Sequence, residues 1–175
     1  GLPAFRAARE HTDRVILIER GPHGTTCARV GCMPSKLLIA AAEAAHGMEI
    51  APGFGIHPGS ISIDGEAVME RVRRERDRFV GFVLDGVDRI DTEQKISGQA
   101  RFVEDSRLEI GNSQVRAGRV VIASGTSPAI PDFLEEVRDR VSVNDDVFEW
   151  KTLPESVAVF HLSLIHISEP TRHDQ

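Results

Sequence analysis

No stretch of this 175-residue chain approaches the roughly 18 to 20 apolar residues that a membrane-crossing helix requires, and no basic-then-apolar leader opens it. Both absences lead to the expectation of a cytoplasmic protein without a membrane partner. Positive charge is in short supply too. The 21 Lys and Arg face 27 Asp and Glu, a net charge of −6, so no global field draws the chain to a phosphate backbone and nucleic acid is not an expected partner. Internal repeats and low-complexity tracts are missing. With 41% hydrophobic and 27% charged residues, the composition is that of one globular domain and room for the start of a second. Cysteine is scarce, but the two present, Cys27 and Cys32, are close together. Two cannot make a disulfide scaffold, and in a cytosolic chain their proximity points to redox or metal chemistry.

The first ten residues, GLPAFRAARE, run straight into a helical pattern without an N-cap, and VILIE (Val15 to Glu19) follows as a short apolar run ending in a carboxylate. Such a run predicts a buried parallel strand. Together they read as the αβ half of a βαβ unit. In a dinucleotide-binding unit of that kind, Gly1 falls where the last glycine of the phosphate-binding fingerprint belongs and Glu19 where the ribose-binding acid belongs. By this reading the first strand and earlier glycines are absent, and the chain binds a dinucleotide poorly. An ordinary αβ pair opening a chain fits the same residues.

Beyond the cysteines, KLLIAAAEAAH (Lys36 to His46) is rich in helix formers. A long charged helix is predicted over about Asp64 to Ile90, with Val68, Val72, Phe79, Phe82, Val83, Val87 and Ile90 spaced by threes and fours. Its run RVRRERDR reads as a solvated face, because acids interleave the bases. From Lys95 the pattern changes to short strands in KISGQARFVED, SRLEIG and SQVRAGRVVIAS. These predict an antiparallel meander, followed by a buried strand over Arg119 to Ser124 that ends at Gly125-Thr126-Ser127-Pro128. PESVAVF (Pro154 to Phe160) promises another strand, yet HLSLIHISEPTRHDQ follows without a glycine turn.

The cysteine segment is GTTCARVGCMPSK, Gly24 to Lys36. A zinc site would need two further ligands, and the histidines are scattered. A bland buried thiol pair would behave as two small hydrophobes. A redox-active disulfide fits the neighbouring residues: Gly31 permits tight curvature between the sulfurs, and Pro34 can occupy a helix's first turn, placing Cys32 near the helix N-terminus. That end favours the thiolate. A small disulfide ring also contributes little loop entropy, so it can open without unfolding the domain.

Cys27-Ala-Arg-Val-Gly-Cys32-Met-Pro-Ser-Lys36 resembles the active-site signature of the flavin-dependent pyridine nucleotide-disulfide oxidoreductases, and its Pro-Ser-Lys ending looks most like the dihydrolipoyl dehydrogenase branch. The likeness extends over about residues 1 to 160, through Glu19, Gly98-Gln-Ala-Arg-Phe102, Ser124-Gly125-Thr126 and PESVAVF. It implies an α/β fold: a Rossmann-like FAD-binding domain with a parallel sheet, helices and an antiparallel meander. Residues 1–150 would form that domain, incomplete at its N-terminus. Residues 151–162 would open an NAD-binding domain, and 163–175 would be a non-native tail similar to translated sequencing-adaptor sequence.

The resemblance further implies that Cys27 is the interchange thiol and Cys32 the thiol facing the flavin. Gly1, Glu19, Thr26, Lys36, Ala100, Ser124, Gly125 and Thr126 would contact FAD, with Glu19 on the adenosine ribose, Ala100 meeting adenine through its backbone and Lys36 beside the flavin. Electrons would pass from dihydrolipoamide, or another dithiol, through the disulfide and FAD to NAD, in a homodimer. Two departures occur near the sulfurs: Gly24-Thr25-Thr26-Cys27 replaces Gly-Gly-Thr-Cys, and Arg29 replaces an asparagine, which places a cation near the thiols. Where the NAD fingerprint should follow Phe160, His161, Ser163 and His166 stand instead. Alternatives are a mercuric reductase-like or glutathione reductase-like enzyme and a non-catalytic relic serving as a binding module.

Overall fold

The computed structural model describes residues 1–160; the expected tail and residues 161 and 162 of the expected second domain lie outside them. The chain forms an α/β fold. Helix α1 (Leu2–Arg9) begins at Gly1, with Pro3 in its first turn and Phe5 as its buried residue. Proline is tolerated there because the first N–H groups of a helix have no partner inside it. Strand β1 (Leu17–Glu19) pairs in parallel with β2 (Lys95–Ser97), in the register Leu17 to Lys95, Ile18 to Ile96 and Glu19 to Ser97. This corrects two expectations. Lys95–Ser97 belongs to the parallel sheet rather than to the meander, and β1 is half-buried because the sheet has only two strands among the described residues.

Between β1 and β2 lie the helices. α2 (Thr26–Val30) and α3 (Cys32–Ile50) meet at Gly31, and α4 (Gly65–Asp88) packs against both. The start of α4 is fixed by Asp64, whose Oδ1 accepts the Ala67 N–H at 3.0 Å. Met69, Val72, Arg76 and Val87 form its buried seam. Phe82, one of the apolar residues expected on that seam, is 64% exposed. The run RVRRERDR is not uniformly solvated either, since Arg76 is buried and ion-paired with Asp77 and Glu149. Neither no-repeat composition nor period reveals that pairing, because Glu149 is remote in sequence.

The meander is as expected in kind: β3 (Ala100–Glu104), β4 (Arg107–Ile110) and β5 (Ser113–Arg116) pair antiparallel in order. Leu108 and Ile110 alternate inward along β4. Gly98 joins the two sheets. Its N–H donates to the Glu19 carbonyl at 2.9 Å, its φ is +152°, and a Cβ there would lie 2.6 Å from Ile110 Cγ2. The expected strand over Arg119–Ser124 does not form. A buried parallel strand needs a hydrogen-bonded neighbour, and among the described residues this run has none, leaving Val121 70% and Ile122 74% exposed. The promised strand at 154–160 is likewise irregular. A short helix, α5 (Asn144–Val147), precedes Phe148, which is buried, and the following residues reach back to α4. There a Cβ on Gly65 would lie 2.8 Å from Thr152 Oγ1. Among the described residues, no helix is long and apolar enough to cross a membrane.

Candidate functional site: two exposed thiols at a helix junction

Cys27 is the second residue of α2 and Cys32 the first of α3, so the helix junction carries one thiol on each side. Gly31 makes the junction possible. A Cβ there would lie 3.1 Å from the Thr26 carbonyl oxygen and 3.3 Å from Cys27 Cα, forcing α2 away from α3. Its own carbonyl accepts both the Ser35 N–H at 3.1 Å and the Ser35 hydroxyl at 2.8 Å, which ties off the first turn of α3. Pro34 is fully buried in that turn, as its helix-start preference led one to expect.

The thiols are free and exposed, unlike a pair of small core hydrophobes. Their side chains nevertheless interact. The hydrogen bond with Cys32 raises the Cys27 pKa above its ordinary value, desolvation and the charge of Cys32 push the same way, and the Cys32 backbone and the Lys36 ammonium oppose without prevailing. Lys36 follows Cys32 by four residues on α3, the spacing that places side chains on one helix face. The Arg29 stem packs against Gly24, where an added Cβ would meet its Cδ at 2.9 Å, and the cation acting on the Cys27 charge is Lys36. Among the described residues, no group of three or more His, Cys, Asp or Glu gathers as a metal site.

A second cluster sits at the carboxyl end of the parallel pair, where ligands bind in open α/β sheets. Glu19 ends β1 there, half-buried, with its Oε1 accepting the Gly21 N–H at 3.0 Å. The register that pairs Glu19 with Ser97 brings the exposed Ala100 to the same edge through Gly98. Ala100 thus follows Gly98 by two residues, at the start of the next strand. Gly1 lies beside β1, with Leu17 Cδ1 3.7 Å from where its Cβ would be. Thr26 opens α2 next to Cys27 and is exposed. Ser124, Gly125 and Thr126 are exposed in irregular chain and join neither cluster by a strand, for want of the partner described above. Sequence reasoning missed the part played by Thr25, whose hydroxyl accepts the Ala28 N–H at 3.2 Å and whose φ is positive. The only signal for it was a threonine in a place that resembled a glycine pair.

A family model described as pyridine nucleotide-disulphide oxidoreductase matches residues 1–160. A mercuric reductase of Streptomyces lividans is 34% identical over 165 residues, covering 87% of this chain and 34% of that protein. A dihydrolipoyl dehydrogenase of Chlamydia muridarum is 30% identical over 154 residues, covering 83% and 32%. A glutathione reductase of Burkholderia cepacia is 28% identical over 159 residues, covering 91% and 35%. The chain thus spans about a third of the length of these curated relatives.

Proposed function

The chain belongs to the pyridine nucleotide-disulphide oxidoreductase family, and from that premise we propose that Cys27 and Cys32 are the two-electron redox centre of a flavin-dependent enzyme acting on a dithiol of the dihydrolipoamide kind. The observation that carries this reading is the junction itself: two exposed, interacting thiols on adjoining helix ends, with Lys36 one turn further along.

In the oxidised pair, a substrate thiolate attacks Cys27 Sγ. A substrate–Cys27 S–S bond forms, the Cys27–Cys32 bond breaks, and Cys32 leaves with the electron pair. The second substrate thiol then attacks its own partner sulfur, closing a cyclic disulfide and releasing Cys27.

The residues present fit the adenosine end of FAD, which would be held by Glu19 through a carboxylate that still has an oxygen to offer and by Ala100 through its exposed backbone. Thr26 and Lys36 would face its other end. When bound, the flavin supplies an acceptor for the electron pair held by the two sulfurs. A nicotinamide partner, NAD on the dihydrolipoyl dehydrogenase reading, would take the pair onward; the segment where its glycine fingerprint was sought, residues 161–166, lies outside the described residues. The homodimer and the cytoplasmic setting belong to the same proposal.

Mercuric-ion reduction is a second reading, favoured by relatives named mercuric reductase. The test is to oxidise the full chain, map the 27–32 disulfide by peptide mass, and then add dihydrolipoamide. Reduction is expected, and in the Cys32→Ser variant oxidised lipoamide, whose own S–S bond opens as the bond to Cys27 forms, is expected to leave a mixed disulfide on Cys27. A disulfide that dihydrolipoamide leaves intact, together with NADPH-dependent mercuric-ion reduction by an intact parent enzyme of the relatives' length, selects the second reading. A chain that never forms the disulfide is a binding module rather than either enzyme.

A further inference from the structure

The two thiols are not anchored alike. Cys32 starts a 19-residue helix, whose first turn is closed by the doubly bonded Gly31 carbonyl. Cys27 sits in a helix of five residues, Thr26–Val30, too short to be stable by itself. What holds its N-terminal end is Thr25. The Thr25 hydroxyl accepts the Ala28 N–H at 3.2 Å and the Thr25 carbonyl accepts the Arg29 N–H at 3.1 Å, so Cys27 lies inside a turn closed by both. Thr25 does this at a cost. Its φ of +62° and ψ of +147° place it at the edge of a region reserved in practice for glycine, and it is the sole non-glycine residue with positive φ among the described residues. For a β-branched side chain that is a genuine outlier. Gly24, also at positive φ, precedes it and packs against Arg29 and Val80, which keeps the loop from relaxing.

We propose that Thr25 is a positioning residue for Cys27: its hydroxyl and strained backbone hold the turn that sets where this thiol stands relative to Cys32, and so tune the dithiol–disulfide equilibrium of the pair. The inference rests on the redox reading above. Loss of the cap frays α2, lowers the local concentration of Cys27 at Cys32 and favours the open dithiol. Glycine at this position loses the hydroxyl, but it adopts the backbone freely and replaces a cap at little cost.

The experiment equilibrates the full chain and its variants in mixtures of reduced and oxidised dithiothreitol and counts free thiols by alkylation and peptide mass. Two protein thiols give two protons and two electrons to the cyclic disulfide of the reagent, whose S–S bond breaks as the Cys27–Cys32 bond forms. Thr25→Ala is expected to lower the equilibrium constant for disulfide formation by about 3- to 30-fold. Thr25→Ser, which keeps the hydroxyl, restores it, and Thr25→Gly holds it at or above the parent value. A constant that Thr25→Ala leaves within about threefold of the parent overturns the positioning role, because a purely structural residue stabilises both redox forms equally. Should Thr25→Ala lose the fold, Thr25→Val, which keeps the shape and lacks the hydroxyl, decides: a constant lowered more than about threefold supports the proposal, and one within about threefold of the parent overturns it. Absence of any 27–32 disulfide in the oxidised parent chain is a different result, and it removes the redox reading itself.

Discussion

Cys27 keeps its proton longer than an ordinary thiol chiefly because its S–H is shared with the Cys32 sulfur, and Lys36 only partly offsets this. Attack by Cys27 on a neutral-pH electrophile is therefore slow until the pH exceeds the usual thiol range. Removing the largest cause reverses the sign: in Cys32→Ala the pH profile of Cys27 alkylation moves to lower pH, whereas Lys36→Met, which deletes the opposing cation, moves it higher. Iodoacetamide labelling across a pH series, read at the Cys27 peptide, measures both, and the same direction in the two variants would sink the argument. The linkage follows from the same direction. A thiol raised in the folded chain binds its proton where the unfolded one has lost it, so its contribution is complete below the unfolded value and disappears as pH rises through the folded one. The reduced chain thus loses this contribution on the alkaline side only.

At the scale of elements, Gly98 does the most with the least. It turns the chain from the parallel pair into the meander at φ +152°, with Ile110 Cγ2 2.6 Å from any added Cβ. Gly98→Ala meets both a forbidden backbone and a collision, and it is expected to cost about 1–3 kcal/mol from the backbone alone. Adding Ile110→Ala removes the colliding methyl but not the dihedral, so in urea denaturation Gly98→Ala costs less in the Ile110→Ala background than in the parent; no remaining cost there would mean that the positive φ costs nothing.

What could be read in advance divides along the same line. The Asp64 cap, the three-and-four spacing of α4, Gly31 between the sulfurs and Pro34 in the first turn are local signals, and each marks an element where it stands. Arg119–Ser124 is the more apolar run, yet Lys95–Ser97 became a parallel strand and Arg119–Ser124 no strand. Apolar runs state a wish for burial, and only a neighbour with open hydrogen-bonding groups decides whether it is met. The cysteine site was legible because its chemistry and its turn lie in one stretch of chain. The pairing of Glu19 with Ser97 depended on the register of β1 with β2, and the role of Thr25 on a dihedral angle, neither of which has a residue-type signature.

Among the described residues, the segment 148–153 closes the fold against α4. Phe148 buries its ring, Arg73 donates to the Trp150 carbonyl, and Arg76 pairs with Glu149 and Asp77, which fastens residues 148–153 along α4. Burial opposes the Arg76 charge, yet its hydrogen bonds to Asp77 and Glu149 outweigh that penalty and raise its pKa. The pair is lopsided, however: the Arg76 side chain is 10% exposed and that of Glu149 61%. The two partners should therefore respond unequally to removal. Glu149→Ala leaves a buried guanidinium with Asp77 alone, and it is expected to destabilise the chain by about 1–2 kcal/mol, less than a fully buried pair because solvent screens Glu149. Arg76→Met fills the same space with apolar atoms and leaves two carboxylates that water already solvates, so it costs less. In the double variant the Glu149→Ala penalty vanishes, since there is no charge left to strand. Urea melts of the three variants measure this order. If Arg76→Met proves the more damaging, the closure depends on the ion pair as an attraction; the geometry favours the opposite, a buried cation tolerated only because Glu149 answers it while Phe148 supplies the packing.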